Sequence, residues 1–235
     1  MGAVIILVSP LDYAFSVVSI LPLAAFVGAM ISVILAYSLA RVGGVVSITN
    51  LILAGVALAS LSTAITSFLM LRSTTNAMSI LSVILGGFNL ASWSKLMWVL
   101  PYFFPAVILL FLYRRTLNVL QLEDEEARQL GINVEVVKLL LLGAASLATA
   151  AAVSVSGTIG FVGLIIPHAV RLVWGPDHRQ LLPLSMIVGA VFLIIADLLA
   201  RTIAQPSEIP VGVITAFCGV PFFLFLLRRS QRGAL

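Results

Sequence analysis

Residues 156–179 read SGTIGFVGLIIPHAVRLVWGPDHR. The stretch is apolar enough to lie in lipid, yet it is no ordinary spanning helix. Gly157, Gly160 and Gly163 recur every third residue. Such small residues let a helix pack closely against its neighbours in a membrane. Pro167 breaks the run, and His168 and Arg171 follow it one turn apart. A proline within a helix leaves a carbonyl free, which protein rather than lipid must cover. The segment closes on Gly175-Pro176-Asp177-His178-Arg179, a turn cluster with charge. It is read as a helix buried in a bundle, running over about 158–174.

Composition sets the class. Of 235 residues, 61% are hydrophobic and 9% charged, against about a quarter charged in a soluble domain. The expected fold is therefore an all-α integral membrane protein, a polytopic helix bundle forming one transmembrane domain over 1–235. The net charge of +4 sits in loops and at span ends, which leaves no basic face for nucleic acid. Cys218 is the single cysteine and has no internal disulfide partner. Met1–Pro10 is apolar, without the basic start or the cleavage site of a signal peptide.

Runs long enough to cross about 30 Å of hydrocarbon occur at about 17–41, 49–71, 95–114, 136–155, 158–174, 183–203 and 210–228. Seven spans are expected, plus one short helix at about 75–85 that dips or lies at the interface. Alternating loops place Arg41, Arg114, Arg115, Arg128, Lys138, Arg171, Arg179, Arg228, Arg229 and Arg232 on one face, and Arg72, Lys95 and Arg201 on the other. That asymmetry makes the first face, with the C-terminus, cytoplasmic. The segment before residue 17 then starts outside, as it would in a chain lacking an earlier part. Trp93, Trp98, Tyr102 and Trp174 lie near span ends, as interfacial rings do.

The dense charge run is Glu123-Asp124-Glu125-Glu126-Ala127-Arg128-Gln129-Leu130-Gly131, within the longest inner loop, 116–135. Acids first, Arg128 next and a terminating glycine follow the order that the helix dipole favours. A solvated loop is the plain reading. Ala127, Leu130 and Ile132, however, give the short helix an apolar edge, as a docking surface for a cytoplasmic partner would need. Asp197 and Arg201, four apart near the outer end of one span, are spaced to pair along the helix and so lower the cost of charge in lipid. Arg201 could also meet an acidic partner outside. His168 stands apart from His178, the one other histidine, so packing near Pro167 suits it better than ligation, and no metal site is expected. Ser156 has no glycine two residues ahead of it for a nucleophile turn, and no partner base. Glu208 lies between Pro206 and Pro210 in a stiff outer turn. G-x-x-x-x-G-K-[ST] is missing from the sequence, so ATP is not bound through a P-loop here.

Three blocks together carry a family resemblance: SGTIGFVGLIIPHAVRLVWGPDHRQLLP, GAVFLIIADLLAR and SEIPVGVITAFCGVPFFLFLLRR. LILAGVAL at 51–58, Leu85-Gly86-Gly87 and EEARQLGINVE match in order as well. From about Leu21 to Arg229 the chain resembles FecCD-type permeases, the membrane subunits of ABC importers for ferric siderophores, haem and cobalamin. The resemblance implies ten spans per subunit and a dimer of permeases, as a homodimer or a paired second permease. It also implies two separate cytoplasmic ATPase subunits that bind the ATP and Mg, an extracytoplasmic substrate-binding protein, and no cofactor on this chain. It points to Glu125, Glu126, Ala127, Arg128, Leu130 and Gly131 as ATPase-coupling residues, with Arg201 docking the binding protein. Gly157, Gly160, Gly163, Pro167, His168 and Asp197 then belong to the pathway or to helix packing. The family's first two to three helices have no counterpart here, so a chain truncated from the ten-span fold is expected. The rival reading, a self-contained channel or secondary transporter, would want intramembrane ionisable groups; Asp197 alone qualifies, and Arg201 stands beside it.

Overall fold

The computed structural model describes residues 17–42, 45–72, 84–89, 91–122, 124–203 and 208–232. Among these the chain is helical apart from one two-residue ribbon. Four helices are long and apolar enough to cross a bilayer: Thr49–Leu71, Trp93–Leu112, Val134–Ser156 and His178–Thr202. The expected short helix at 75–85 lies largely outside the described residues, as does 204–207 of the stiff outer turn.

Two compact units divide the chain. In the first, α1 (Val17–Ala40) and α2 (Ile48–Arg72) pack as a pair. Between them β1 (Arg41–Val42) and β2 (Val45–Val46) pair antiparallel, with Arg41 opposite Val46. The first half of α3 (Trp93–Leu112) and the last turns of α6 (Val134–Ser156) complete this unit. Phe26 of α1 stacks on Tyr102 of α3 at 5.1 Å between ring centroids, in the range for favourable aromatic pairs.

The second unit holds the candidate residues other than Gly157, which falls in the first. It contains α4 (Arg114–Val119), α5 (Asp124–Gln129), the first turns of α6, α7 (Val162–Trp174), α8 (His178–Thr202) and α9 (Val211–Arg232). α8 packs against α4, α7 and α9. Its two faces explain why. Ile187, Val191, Ile194 and Leu198, spaced three or four residues apart, are all more than half exposed. Gly189, Ala196 and Ala200 are buried on the opposite side. Large apolar side chains facing outward and small ones facing inward suit a helix with lipid on one side and closely approached backbone on the other. Ile165, Ile166, Val170 and Leu181 form one core of this unit, and Ala196, Ala200 and Val211 a second.

Two boundaries depart from the sequence reading. The helix expected over 158–174 is thirteen residues long, and Gly157 to Phe161 is not helical. At 1.5 Å per residue it rises about 20 Å, less than the bilayer core. Gly157 takes a positive φ of 68° and Phe161 one of 67°, which a right-handed helix does not include, and Thr158 and Ile159 between them are β-branched. In the other direction, α8 begins at His178 rather than 183. Asp177 supplies the cap, and Pro183 is carried inside the helix.

Candidate functional site

The acidic segment is built first by α5. Ala127 is fully buried, while Glu125 and Glu126 are exposed and Leu130 is 64% exposed. The helix stops as its glycine predicts. Gly131 has φ +79°, its N–H donates to Arg128 O at 2.9 Å, and Ile132 N–H donates to Ala127 O at 3.3 Å. These two bonds are the Schellman pairing, which returns the last carbonyls of a helix to partners. Asn133 then opens α6, its Oδ1 accepting from Val136 N–H at 3.2 Å. Stop and start follow one another with no free residue between them and fix the corner between α5 and α6. Arg128 reaches Glu125 at 3.8 Å and Glu135 at 3.7 Å; both pairs are exposed, so they add little to stability.

α4 holds the next contact, which sequence reasoning did not find. Its last turn meets the turn before α8. Asn118 Nδ2 donates to Asp177 Oδ1 at 2.6 Å, and His178 N–H donates to Asn118 Oδ1 at 2.8 Å. Gln121 Nε2 donates to Pro176 O at 3.2 Å. The ring Nδ1 of His178 lies 2.7 Å from Gln121 Nε2 and 3.0 Å from Asn118 Oδ1, and the tautomer decides which of them it serves. Asp177 Oδ1 also accepts from Arg179 N–H at 2.8 Å. The charge-bearing GPDHR cluster was the only visible signal, and its partner stands nearly sixty residues earlier.

The Arg179 backbone N–H, then the Asn118 amide, hold the Asp177 carboxyl below its ordinary value. A depressed carboxyl stabilises the fold above its unfolded pKa of about 3.9, and that contribution is lost as pH falls through the lower folded value. The cap is therefore complete at neutral pH. We expect Asp177→Asn, an uncharged cap, to remove this step from the acid limb of a thermal-stability profile in detergent, while the parent retains it.

A junction of three backbone segments lies elsewhere in the same unit. Gly86 has φ +67°, and a Cβ there would stand 2.6 Å from Thr158 O. A Cβ on Gly212, the second residue of α9, would overlap the carbonyl oxygen of Leu85. Gly212 N–H also faces Gly86 O at 3.5 Å. The Leu85-Gly86-Gly87 segment, the non-helical link before α7 and the start of α9 can therefore meet only where side chains are missing. Close by, the Phe161 ring occupies the space that a Cβ on Gly219 would need. A phenylalanine with positive φ costs about 1–3 kcal/mol, and such strain persists only where packing enforces it. Irregular backbone of this kind is tolerated at membrane depth only when buried in protein or lining a wet cavity.

The remaining predicted residues divide. Asp197 and Arg201 do pair, Arg201 Nε donating to Asp197 Oδ2 at 2.8 Å. Arg201 is 43% exposed along its side chain, and Asp197 Oδ1 is buried without a hydrogen-bond partner. Pro167 lies inside α7 and His168 is exposed on it. The described residues place no neighbour close to Gly160 or Gly163. Gly157 and Gly160 fall outside any helix, and a Cβ on Gly160 or Gly163 would meet nothing within 4 Å. Among the described residues, the glycines at which another segment stands within 3.0 Å of an added Cβ are Gly86, Gly212 and Gly219. The Leu85-Gly86-Gly87 match includes the first of them, and the SEIPVGVITAFCGVPFFLFLLRR block the other two, but neither said what they approach.

Comparison with known proteins returns one consistent relationship. A model of the FecCD transport family matches residues 1–229. The ABC transporter permease protein YvrB of Bacillus subtilis is 46% identical over 80% of this chain and 53% of its own. The cobalamin import system permease protein BtuC of Halobacterium salinarum is 46% identical over 90% and 57%. The hemin transport system permease protein HmuU of Yersinia pestis is 41% identical over 88% and 62%. The chain thus spans between 53% and 62% of the length of these relatives. A solved inward-facing ABC transporter, assigned to the metal-chelate type, superposes with a TM-score of 0.80 at 30% identity. That match covers 97% of this chain and 71% of the solved one.

Proposed function

We propose, because this chain belongs to the FecCD transport family, that it acts as the membrane-spanning permease subunit of an ABC importer. Its cargo class is an iron chelate, haem or corrinoid, as in its relatives' names. It contributes no catalytic group. ATP and Mg belong to two cytoplasmic ATPase subunits, a second permease completes the pathway, and an extracytoplasmic binding protein delivers the ligand. The subunit is a multi-pass plasma-membrane protein with its C-terminus inside, the side that the excess of Lys and Arg marks.

The observation that carries the coupling role is the build of the inner corner. Ala127 is fully buried and Leu130 exposed beside two exposed acids, on a helix closed by a Schellman turn and followed at once by the cap of α6. A six-residue helix whose last turn is closed and set against α6 presents a stiff surface, which a loop could not. The ATPase would press on this surface, and α6 and α8 would carry the displacement. On the outer side, Arg201 offers an exposed guanidinium to acidic groups of the binding protein.

Exchanging Glu125–Gly131 for a Gly/Ser segment of equal length tests this in proteoliposomes holding the permease with its ATPase. Hydrolysis should continue while ATP-driven uptake falls to background, with membrane insertion intact. Uptake at the parental rate would end the coupling role of this helix.

A further inference from the structure

The contact between α4 and the start of α8 has a form that α8 alone does not require. Asp177 already caps the helix by accepting from Arg179 N–H. The His178 N–H, one of the orphan donors of a helix start, is taken by Asn118 from sixty residues away. The same amide returns a bond to the capping carboxylate. Asn118 thus closes a two-bond ring with residues 177 and 178, and Gln121 adds a third bond to Pro176 O, one turn further on.

The placement of this ring gives it a mechanical meaning. Three residues separate Gln121 from Glu125, the first residue of the proposed ATPase surface. α8, which the ring holds by its N-terminus, is 25 residues long and carries Arg201 near its far end. At 1.5 Å per residue the helix rises about 37 Å, enough to run from one side of a bilayer to the other. α8 is also the helix that packs on α7 and α9. One rigid element therefore links the segment beside the inner docking surface to the outer arginine.

We propose that Asn118 is a positioning residue, a latch through which displacement of the α4–α5 segment is passed to α8. The inference rests on the ABC reading above. Each bond of the latch has an identified donor and acceptor, so it can be broken and remade. Asn118→Asp sets a second carboxylate 2.6 Å from that of Asp177 and should open the ring. Asn118→Asp combined with Asp177→Asn removes the facing like charges, keeps the total charge of the parent and lets the carboxylate introduced at position 118 accept from His178 N–H. One oxygen of Asp177 accepts from both Asn118 and Arg179, so the amide introduced at position 177 can keep only one of those two bonds. The double exchange therefore remakes the latch in part.

The test measures uptake per ATP hydrolysed, in proteoliposomes containing the chain with its ATPase subunits and binding protein. We expect Asn118→Asp to lower this ratio about tenfold, within the usual range for coupling between sites, and the double exchange, which regains the His178 bond and the parent's charge, to recover part of it. Asn118→Leu, which removes both bonds without adding charge, should behave as Asn118→Asp does, and it decides the matter if the aspartate variant fails to insert. A merely structural role would lower the amount of inserted protein and leave the ratio unchanged. An unchanged ratio in the variants, or a double exchange no better coupled than Asn118→Asp, overturns the latch. Solute uptake by the parent without nucleotide hydrolysis would instead remove the ABC reading, and the latch with it.

Discussion

Gly86→Ala is expected to lose about 2–5 kcal/mol of stability, against a total of about 5–15 kcal/mol for a folded domain. Two costs combine. The positive φ of Gly86 disfavours any residue with a Cβ, by about 1–2 kcal/mol. The added atom would also stand 2.6 Å from Thr158 O and 2.8 Å from Thr158 C. These are backbone atoms, which cannot rotate away, so overpacking adds about 1–3 kcal/mol. Two alanine variants separate the contributions. Gly131→Ala carries the φ penalty with nothing within 4 Å of the new atom, and should cost only about 1–2 kcal/mol. Gly163→Ala has neither cost and lies within α7, where alanine is favoured by up to about 1 kcal/mol. Thermal unfolding of the three proteins in detergent should rank them in that order. If Gly86→Ala unfolds no earlier than Gly131→Ala, the three-segment junction is not as drawn.

Ala127→Glu should be the most damaging substitution in the inner segment, although it adds one acid to a run that already has four. The neighbouring glutamates are exposed, whereas Ala127 has no accessible surface. A carboxylate there would be buried unpaired, at a cost of several kcal/mol. A six-residue helix has too few contacts to absorb that, so α5 should lift from its seat rather than bury the charge. We expect ATP-driven uptake to fall at least tenfold, a factor that corresponds to about 1.4 kcal/mol of lost coupling. Glu126→Ala, on the exposed side of the same helix, should change folding stability by no more than about 0.5 kcal/mol. Equal uptake by Ala127→Glu and the parent would show that the seat of α5 does not matter to transport.

Much of this protein could be read from residue order alone. The class follows from the balance of apolar and charged residues, since a chain with 9% charge must place most of its surface in lipid. The α5 stop was legible because a Schellman turn needs only a glycine at a defined position. The Asp197–Arg201 pair was legible because four residues make one turn. Each of these depends on neighbours along the chain.

What the sequence could not supply depends on neighbours in space. The glycine triplet at 157–163 looked like a helix-packing seam, because periodicity reports what a helix would do and not whether one forms. A left-handed Gly157 and a strained Phe161 are held by tertiary packing, and they end the helical run there. Likewise nothing near Gly212 announces that the Leu85 carbonyl lies against it, and nothing near Asn118 announces that it completes the cap of α8. Local bonding determined the membrane class, the stop of α5 and the i, i+4 pair; only the folded backbone decided which glycines and which asparagine join distant segments, because close approach between such segments leaves no periodic trace.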